Sequence, residues 1–290
     1  MKRVVLILLA IAYLFPVWSQ EDRLDSLLED VLSDDSEVAK WLYPAPKFQF
    51  LYAGTDFDSK TFYAGREIGD QIYNMSGQLF YINSNGLFAG VAGSWYSQLE
   101  PGYKNTVVTA GYSKKFINAK NLSVRASYSH YFYFKPDPDY EYSFSNNLGT
   151  GLTFRKKWFG ARMSLSFLFG QEFGMNMSAN LFSKITLIRL NKFNNIQFEP
   201  EVLFFVASEA TEIDNSSYIS GKSQDPSLSS VSSSYGLLNT QLYLPLSISL
   251  GNFDLELGYS INIPSTREEN ISYPVNSYFS VSLGYMIQLD

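Results

Sequence analysis

The chain has 290 residues, with 22 Lys and Arg against 28 Asp and Glu, one His, no Cys and a formal net charge of -6. The acidic balance argues against nucleic acid as a partner, and without Cys no disulfide contributes to stability. Aromatic residues make up 17% of the chain while mean hydropathy is only -0.10, as expected when apolar and polar residues alternate, one face to lipid and one to water.

Lys2 and Arg3 precede an apolar run from Val4 to Phe15, and Val17 and Ser19 place small side chains where a signal peptidase reads. An apolar run of about 12 residues is too short for a hydrocarbon core of about 30 Å, so residues 1–19 read as a signal peptide cleaved before Gln20. Residues 20–46 form a second unit. Leu24, Leu27, Leu28, Val31 and Leu32 recur at i, i+3, i+4, i+7 and i+8, which predicts a short amphipathic helix, placed in the periplasm. Pro44 and Pro46 end it.

From Lys47 onward the period becomes two, and residues 47–290 read as one all-β unit. Twelve strands are expected, at 47–55, 71–82, 87–97, 105–117, 122–134, 142–155, 160–170, 175–189, 196–208, 236–250, 252–263 and 276–288. Most exceed the usual strand of about 5–6 residues and reach the roughly 9–11 needed to cross a bilayer. In 252–263, Phe253, Leu255, Leu257, Tyr259, Ile261 and Ile263 share one face, opposite Asp254, Glu256, Gly258, Ser260 and Asn262. This predicts a transmembrane antiparallel up-and-down barrel, in which an Arg at Leu257 meets lipid and one at Ser260 meets water. No later segment has enough consecutive apolar residues for a spanning helix.

The links alternate in length. Asn83–Gly86, Asn118–Asn121, Lys156–Phe159, Leu190–Asn195 and the Gly251 turn are tight, whereas 56–70, 98–104, 135–141, 209–235 and 264–275 are longer, with 171–174 brief. Tight periplasmic turns and longer external loops give that asymmetry, and an even strand count returns both chain ends to the periplasmic side. The Ser-rich stretch 209–235 is expected as an external loop, either solvated or folded inward. At the end of the chain, 282–289 resembles the C-terminal signal by which outer-membrane barrels engage their assembly machinery, with Ile287 and Leu289 where aromatics are preferred.

The segments FYAGREIGDQ (62–71), SNGLFAGVAGSWYSQLEPGY (84–103) and SYSHYFYFKPDPD (127–139) resemble a family of outer-membrane barrel proteins of the Bacteroidota. The resemblance implies a porin-like barrel in contact with outer-membrane lipid. It brings no catalytic or ligand residue with it.

Candidate chemistry is sparse. An outer-membrane lipid hydrolase needs a Ser-His pair, yet His130 lies in the apolar register of its strand and Ser129 in the opposite one, so no catalytic residue is assigned. One His and no Cys leave no zinc or copper set, and Asp34, Asp35, Glu37 and Asp137, Asp139, Glu141 lack the spacing of a calcium loop. No cofactor or metal is expected. The non-lipid register instead carries Lys115, Arg125, Arg155, Arg162 and Lys184 on strands 4–8, and Glu199, Glu201, Asp254 and Glu256 on strands 9–11. In a wet lumen such basic and acidic arcs set a transverse field; in a filled one they form an ion-pair network. The expectation is a passive channel for small hydrophilic solutes or ions. The alternatives are an occluded barrel whose external loops contact a partner or glycan, and third, the hydrolase.

Overall fold

The computed structural model describes residues 48–289 apart from 69–70, 101, 117–118, 135–141, 192–193, 209–234 and 266–272. The expected signal peptide, the amphipathic helix and the Ser-rich stretch thus lie outside the described residues, as do both acidic clusters.

Twelve strands follow in chain order. They are β1 (Gln49–Asp58), β2 (Asn74–Asn83), β3 (Leu87–Tyr96), β4 (Tyr103–Phe116), β5 (Ala119–Tyr133), β6 (Phe144–Lys156) and β7 (Phe159–Gly170). Then come β8 (Phe173–Ser183, continued by Ile185–Arg189), β9 (Asn194–Phe198, continued by Glu201–Ser208), β10 (Tyr235–Tyr243, continued by Leu246–Leu250), β11 (Phe253–Pro264) and β12 (Asn276–Leu289). Every strand pairs antiparallel with its sequence neighbour, and β12 pairs with β1 from Gln49 opposite Leu289 to Asp58 opposite Ser280. The sheet therefore closes on itself as a twelve-stranded barrel without an open edge, which satisfies the backbone of every strand between two neighbours. The links of few residues fall at one end of the barrel, with tight turns at 84–86, 157–158 and 251–252, and the longer links gather at the other.

Alternation fixes which face is outside. In β5, Tyr128 and Phe132 are exposed while Arg125, Ser127 and Ser129 are buried. In β11, Leu257 is 43% exposed and Ser260 not at all. The outer surface thus shows Val108, Leu148, Leu152, Met163, Leu181 and Val281 at mid-strand. Aromatics stand nearer the rims, Phe116, Trp158, Phe159 and Phe253 at the tight-turn end and Phe132, Phe134 and Phe173 at the other. An apolar band between aromatic girdles matches a lipid-facing barrel wall.

Three adjacent strands break at one level. β8 is interrupted at Lys184, β9 at Glu199–Pro200 and β10 at Leu244–Pro245. Pro200 and Pro245 carry no N–H, so the ladder cannot run through them. Their carbonyls still accept, Pro200 from the Ser183 N–H at 3.0 Å and Pro245 from the Glu199 N–H at 3.2 Å. The wall bends there and stays closed.

The interior differs from a uniformly wet one. Phe50, Tyr52, Phe80, Ile82 and Phe88 form a buried cluster on the inner face of β1–β3 near the tight-turn end, with Phe48 and Met286 against it. Glycines opposite these rings give them room: a Cβ at Gly90 would strike the Phe80 ring, and one at Gly111 the Phe88 ring. Side chains pack the inner face of β1–β3, which corrects the expectation that one face meets lipid and the other water throughout.

Candidate functional site

The candidate site is the inner wall. Strand pairing joins its residues into rows. One runs Lys115, Ser123, Thr153, Arg162, Asn180, Leu203, Gln241 and Asn262, one residue per strand from β4 to β11. The next row toward the tight turns includes Arg155, Gly160, Phe182, Glu201, Tyr243 and Ser260 on β6 to β11. Arg125 lies opposite Ser113 and Gly151. Asp254 and Glu256 lie opposite Ser249 and Ser247 of β10.

The nine expected charges therefore lie on one continuous stretch of wall, basic on β4–β8 and acidic on β9–β11. The arcs meet where the strands break: Lys184 Nζ is 3.1 Å from Glu199 Oε1, with both side chains about four-fifths covered. Just beyond, Asn180 Nδ2 donates to Glu201. The Arg162 guanidinium lies 5.2 Å from the centre of the Phe182 ring. Glu256 accepts from Tyr243 Oη at 2.8 Å and from Ser247 Oγ at 3.1 Å. Every one of the nine has an interaction partner. Arg125 and Arg162 are buried among neighbouring side chains, while the other seven are partly exposed, Lys184 and Glu199 by only about a fifth or less.

Exposure divides the lumen lengthwise. On β1, β2 and β3 nearly every inward side chain is buried, including Asp56, Ser76, Gln78 and Ser94 between the apolar cluster and the long-link end. Ser76 donates to Asp56 at 2.6 Å and Ser94 to Asn105 at 2.6 Å, whereas the Gln78 amide is buried without a hydrogen-bond partner. Along β6 to β11, by contrast, Thr153, Ser178, Gln197, Ser247 and Ser249 remain partly exposed. The partly exposed inward groups thus lie chiefly on β6–β11 and include the partly exposed charges, while Asn105, Ser113, Ser127, Ser129, Asn147 and Asn176 on β4–β8 are buried.

His130 points outward. Its Nδ1 lies 2.8 Å from Asn146 Oδ1 and its ring meets Phe132 edge-on, whereas Ser129 is buried on the inner face beside Thr109 at 2.8 Å. The backbone separates the two groups of a hydrolytic pair. No cluster of three or more metal-ligating side chains occurs among the described residues.

Sequence reasoning did not anticipate a small hairpin inside the first long link. Phe62–Tyr63 pairs with Arg66–Glu67, and Ala64 and Gly65 both take positive φ, 47° and 79°, as a type I′ turn requires. The Ala-Gly dipeptide in FYAGRE was the available signal.

No protein-family model and no curated protein matches the sequence. Among solved structures, the chain is similar to the KdgM porin at 11% identity and TM-score 0.46, covering 82% of this chain and 98% of that one. It is similar to the NanC porin at 8% identity and TM-score 0.43, with the same coverage of 82% and 98%. An outer membrane channel from Pseudomonas putida F1 aligns at 9% identity and TM-score 0.41, covering 84% of this chain and 95% of that one. At such identities no solute, partner or residue role passes from these proteins to this chain.

Proposed function

We propose that this protein is an outer-membrane barrel acting as a passive channel for small hydrophilic solutes or ions. The observation that carries the reading is the divided lumen: nearly every inward side chain of β1–β3 is buried, whereas along β6–β11 hydroxyl, amide and charged groups such as Thr153, Arg155, Gln197, Ser247, Asp254 and Glu256 stay partly exposed. A wall built only to be filled has no reason to leave one side accessible and to concentrate its charges there. A closed barrel with an apolar belt is at home in a bilayer, and the long-link end is taken as external. The Bacteroidota-type segments at 62–71, 84–103 and 127–139 point to the same address. In this reading residues 1–19 are removed, residues 20–46 stay periplasmic, β12 engages the assembly machinery and the outer belt meets lipid.

The nine charges are proposed as the electrostatic lining of the passage, with Lys115 and Arg155 facing Glu201, Asp254 and Glu256 across it. A second reading, an occluded structural or binding barrel, is favoured by the fact that each charge already has a partner. Purified protein in a planar bilayer distinguishes the two. Stepwise ohmic conductance is expected; a well-folded barrel that inserts and stays silent would establish the occluded form.

A further inference from the structure

The first long link does not stay outside. Its feet are fixed to the wall: Ser59 N–H donates to the Phe279 carbonyl at 2.9 Å, Phe279 N–H donates to Ser59 Oγ at 2.9 Å, and Asn74 Nδ2 donates to Thr61 Oγ1 at 3.3 Å. From β1 and β2 the hairpin then reaches β12, the neighbour of β1, and beyond it β9 and β10. Phe62 stacks on Tyr278 of β12 at 5.1 Å, and Tyr63 meets Phe205 of β9 edge-on at 6.3 Å. Asn276 Nδ2 donates to the Gly65 carbonyl at 2.7 Å, and Arg66 lies 4.0 Å from the centre of the Tyr273 ring. Tyr63, Ile68 and Ile72 form a buried cluster with Tyr96 of β3.

Tyr278 belongs to the inner register of β12, Phe205 to that of β9 and Asn239 to that of β10, since they pair with Ser260, Asn239 and Phe205 respectively. β12 adjoins β1, but contacts from this link to inward residues of β9 and β10 place the hairpin across the interior. The fit is close: Gly65 backs onto Asn239 so tightly that a Cβ there would overlap its side-chain amide. Beneath it Asn239 donates to Asn262 at 3.1 Å, and Asn262 to Asn276 at 3.2 Å, both within the buried polar layer of that side.

We propose that the Thr61–Ile68 hairpin is the size-determining element of the passage: it lies docked inside the long-link mouth, closes the lumen over β9–β3, and confines solutes to the strip along β4–β8. This rests on the channel reading for its meaning but not for its proof. At that height the partly exposed inward groups on that side are the hydroxyls of Ser166, Ser178 and Tyr131, with Ser127, Ser129, Asn147 and Asn176 buried among them, an uncharged lining that suits small hydroxylated solutes. Charge discrimination then occurs separately, nearer the tight turns.

The chain contains no Cys, so an introduced thiol is unique. Asn262→Cys, at a position 2% exposed, is expected to resist a water-soluble maleimide, while Thr153→Cys at a partly exposed inward position of β6 reacts. Undocking the hairpin with Gly65→Val, which alters no barrel strand, or replacing residues 62–67 by two glycines, is expected to raise the Asn262→Cys labelling rate several-fold and leave Thr153→Cys unchanged. Equal labelling of Asn262→Cys with and without the docked hairpin overturns the inference. In bilayers the same variants are expected to conduct several-fold more and admit larger neutral polymers; unchanged conductance and size cut-off in a conducting barrel also overturn it. If neither parent nor variant conducts, the channel reading fails, and the thiol result still decides whether the hairpin covers the lumen.

Discussion

At the level of single residues, parity along a strand decides between lipid and interior, and neighbours decide the rest. Leu257 is half exposed on the outer face, so Leu257→Arg is expected to cost about 2–4 kcal/mol near mid-depth. Ser260 has the opposite parity, yet it is fully buried and accepts from Gln241 Nε2 at 2.9 Å. Ser260→Arg therefore has no water to enter and is also expected to destabilise, against the sequence-based expectation of tolerance. Ser249→Arg, at a partly exposed inward position beside Asp254, is the interior substitution expected to be tolerated. Urea midpoints of the three variants in one detergent check the order. Gly160 tests the ring-over-glycine fit directly, because a Cβ there meets only the Phe182 ring. Gly160→Ala is expected to cost about 1–3 kcal/mol through overpacking, and much less in a Phe182→Ala background. A double-mutant cycle with no coupling between the two positions would show that the ring does not rest on Gly160.

At the level of elements, all twelve strands were legible because period two, span and turn chemistry agreed. What the sequence reading ran through as continuous, the structure breaks. The segments 175–189, 196–208 and 236–250 each contain an interruption, and Pro200 and Pro245 were the signs that two ladders could not run unbroken. The apolar interior of β1–β3 also left a mark. Leu79–Ile82 and Leu87–Phe88 are apolar on both faces, where a lipid-facing strand over water would alternate. Parity assigns the nine charges to one register but says nothing of their surroundings: nothing in spacing shows that Lys184 and Glu199 meet, or that Arg125 and Arg162 are covered. Their burial moves the expected electrostatic effect onto the half-exposed members. Replacing Lys115 and Arg155 with Ser is expected to shift reversal potentials toward cation selectivity, and replacing Asp254 and Glu256 with Ser toward anion selectivity. Both shifts should fade as salt shortens the screening length below the roughly 8–10 Å of physiological solutions. Reversal potentials that ignore both pairs would remove them from the passage.

For the whole molecule, closure and orientation follow from the same connectivity. Ten residue pairs between β1 and β12 join the two ends of the described barrel, so every strand is interior to the sheet and the two rims differ only in their links. One rim holds the turns at 84–86, 157–158 and 251–252 and the short links that include 117–118 and 192–193; the other holds the inward hairpin and the links that include 209–234. Carrying a long link across a membrane during assembly is harder than carrying a two-residue turn, which is the physical sense behind short links remaining on the side from which the barrel inserts. An epitope inserted after Ser229 should therefore be accessible on intact cells. An epitope after Lys157, whose φ of 57° already marks a tight turn, should be reached only once the outer membrane is opened. The orientation also fixes how solute meets the lumen, first at the docked hairpin over β9–β3 and only afterwards at the charges near the tight turns. Labelling of the Lys157 epitope on intact cells would reverse that order and place the charged section outermost.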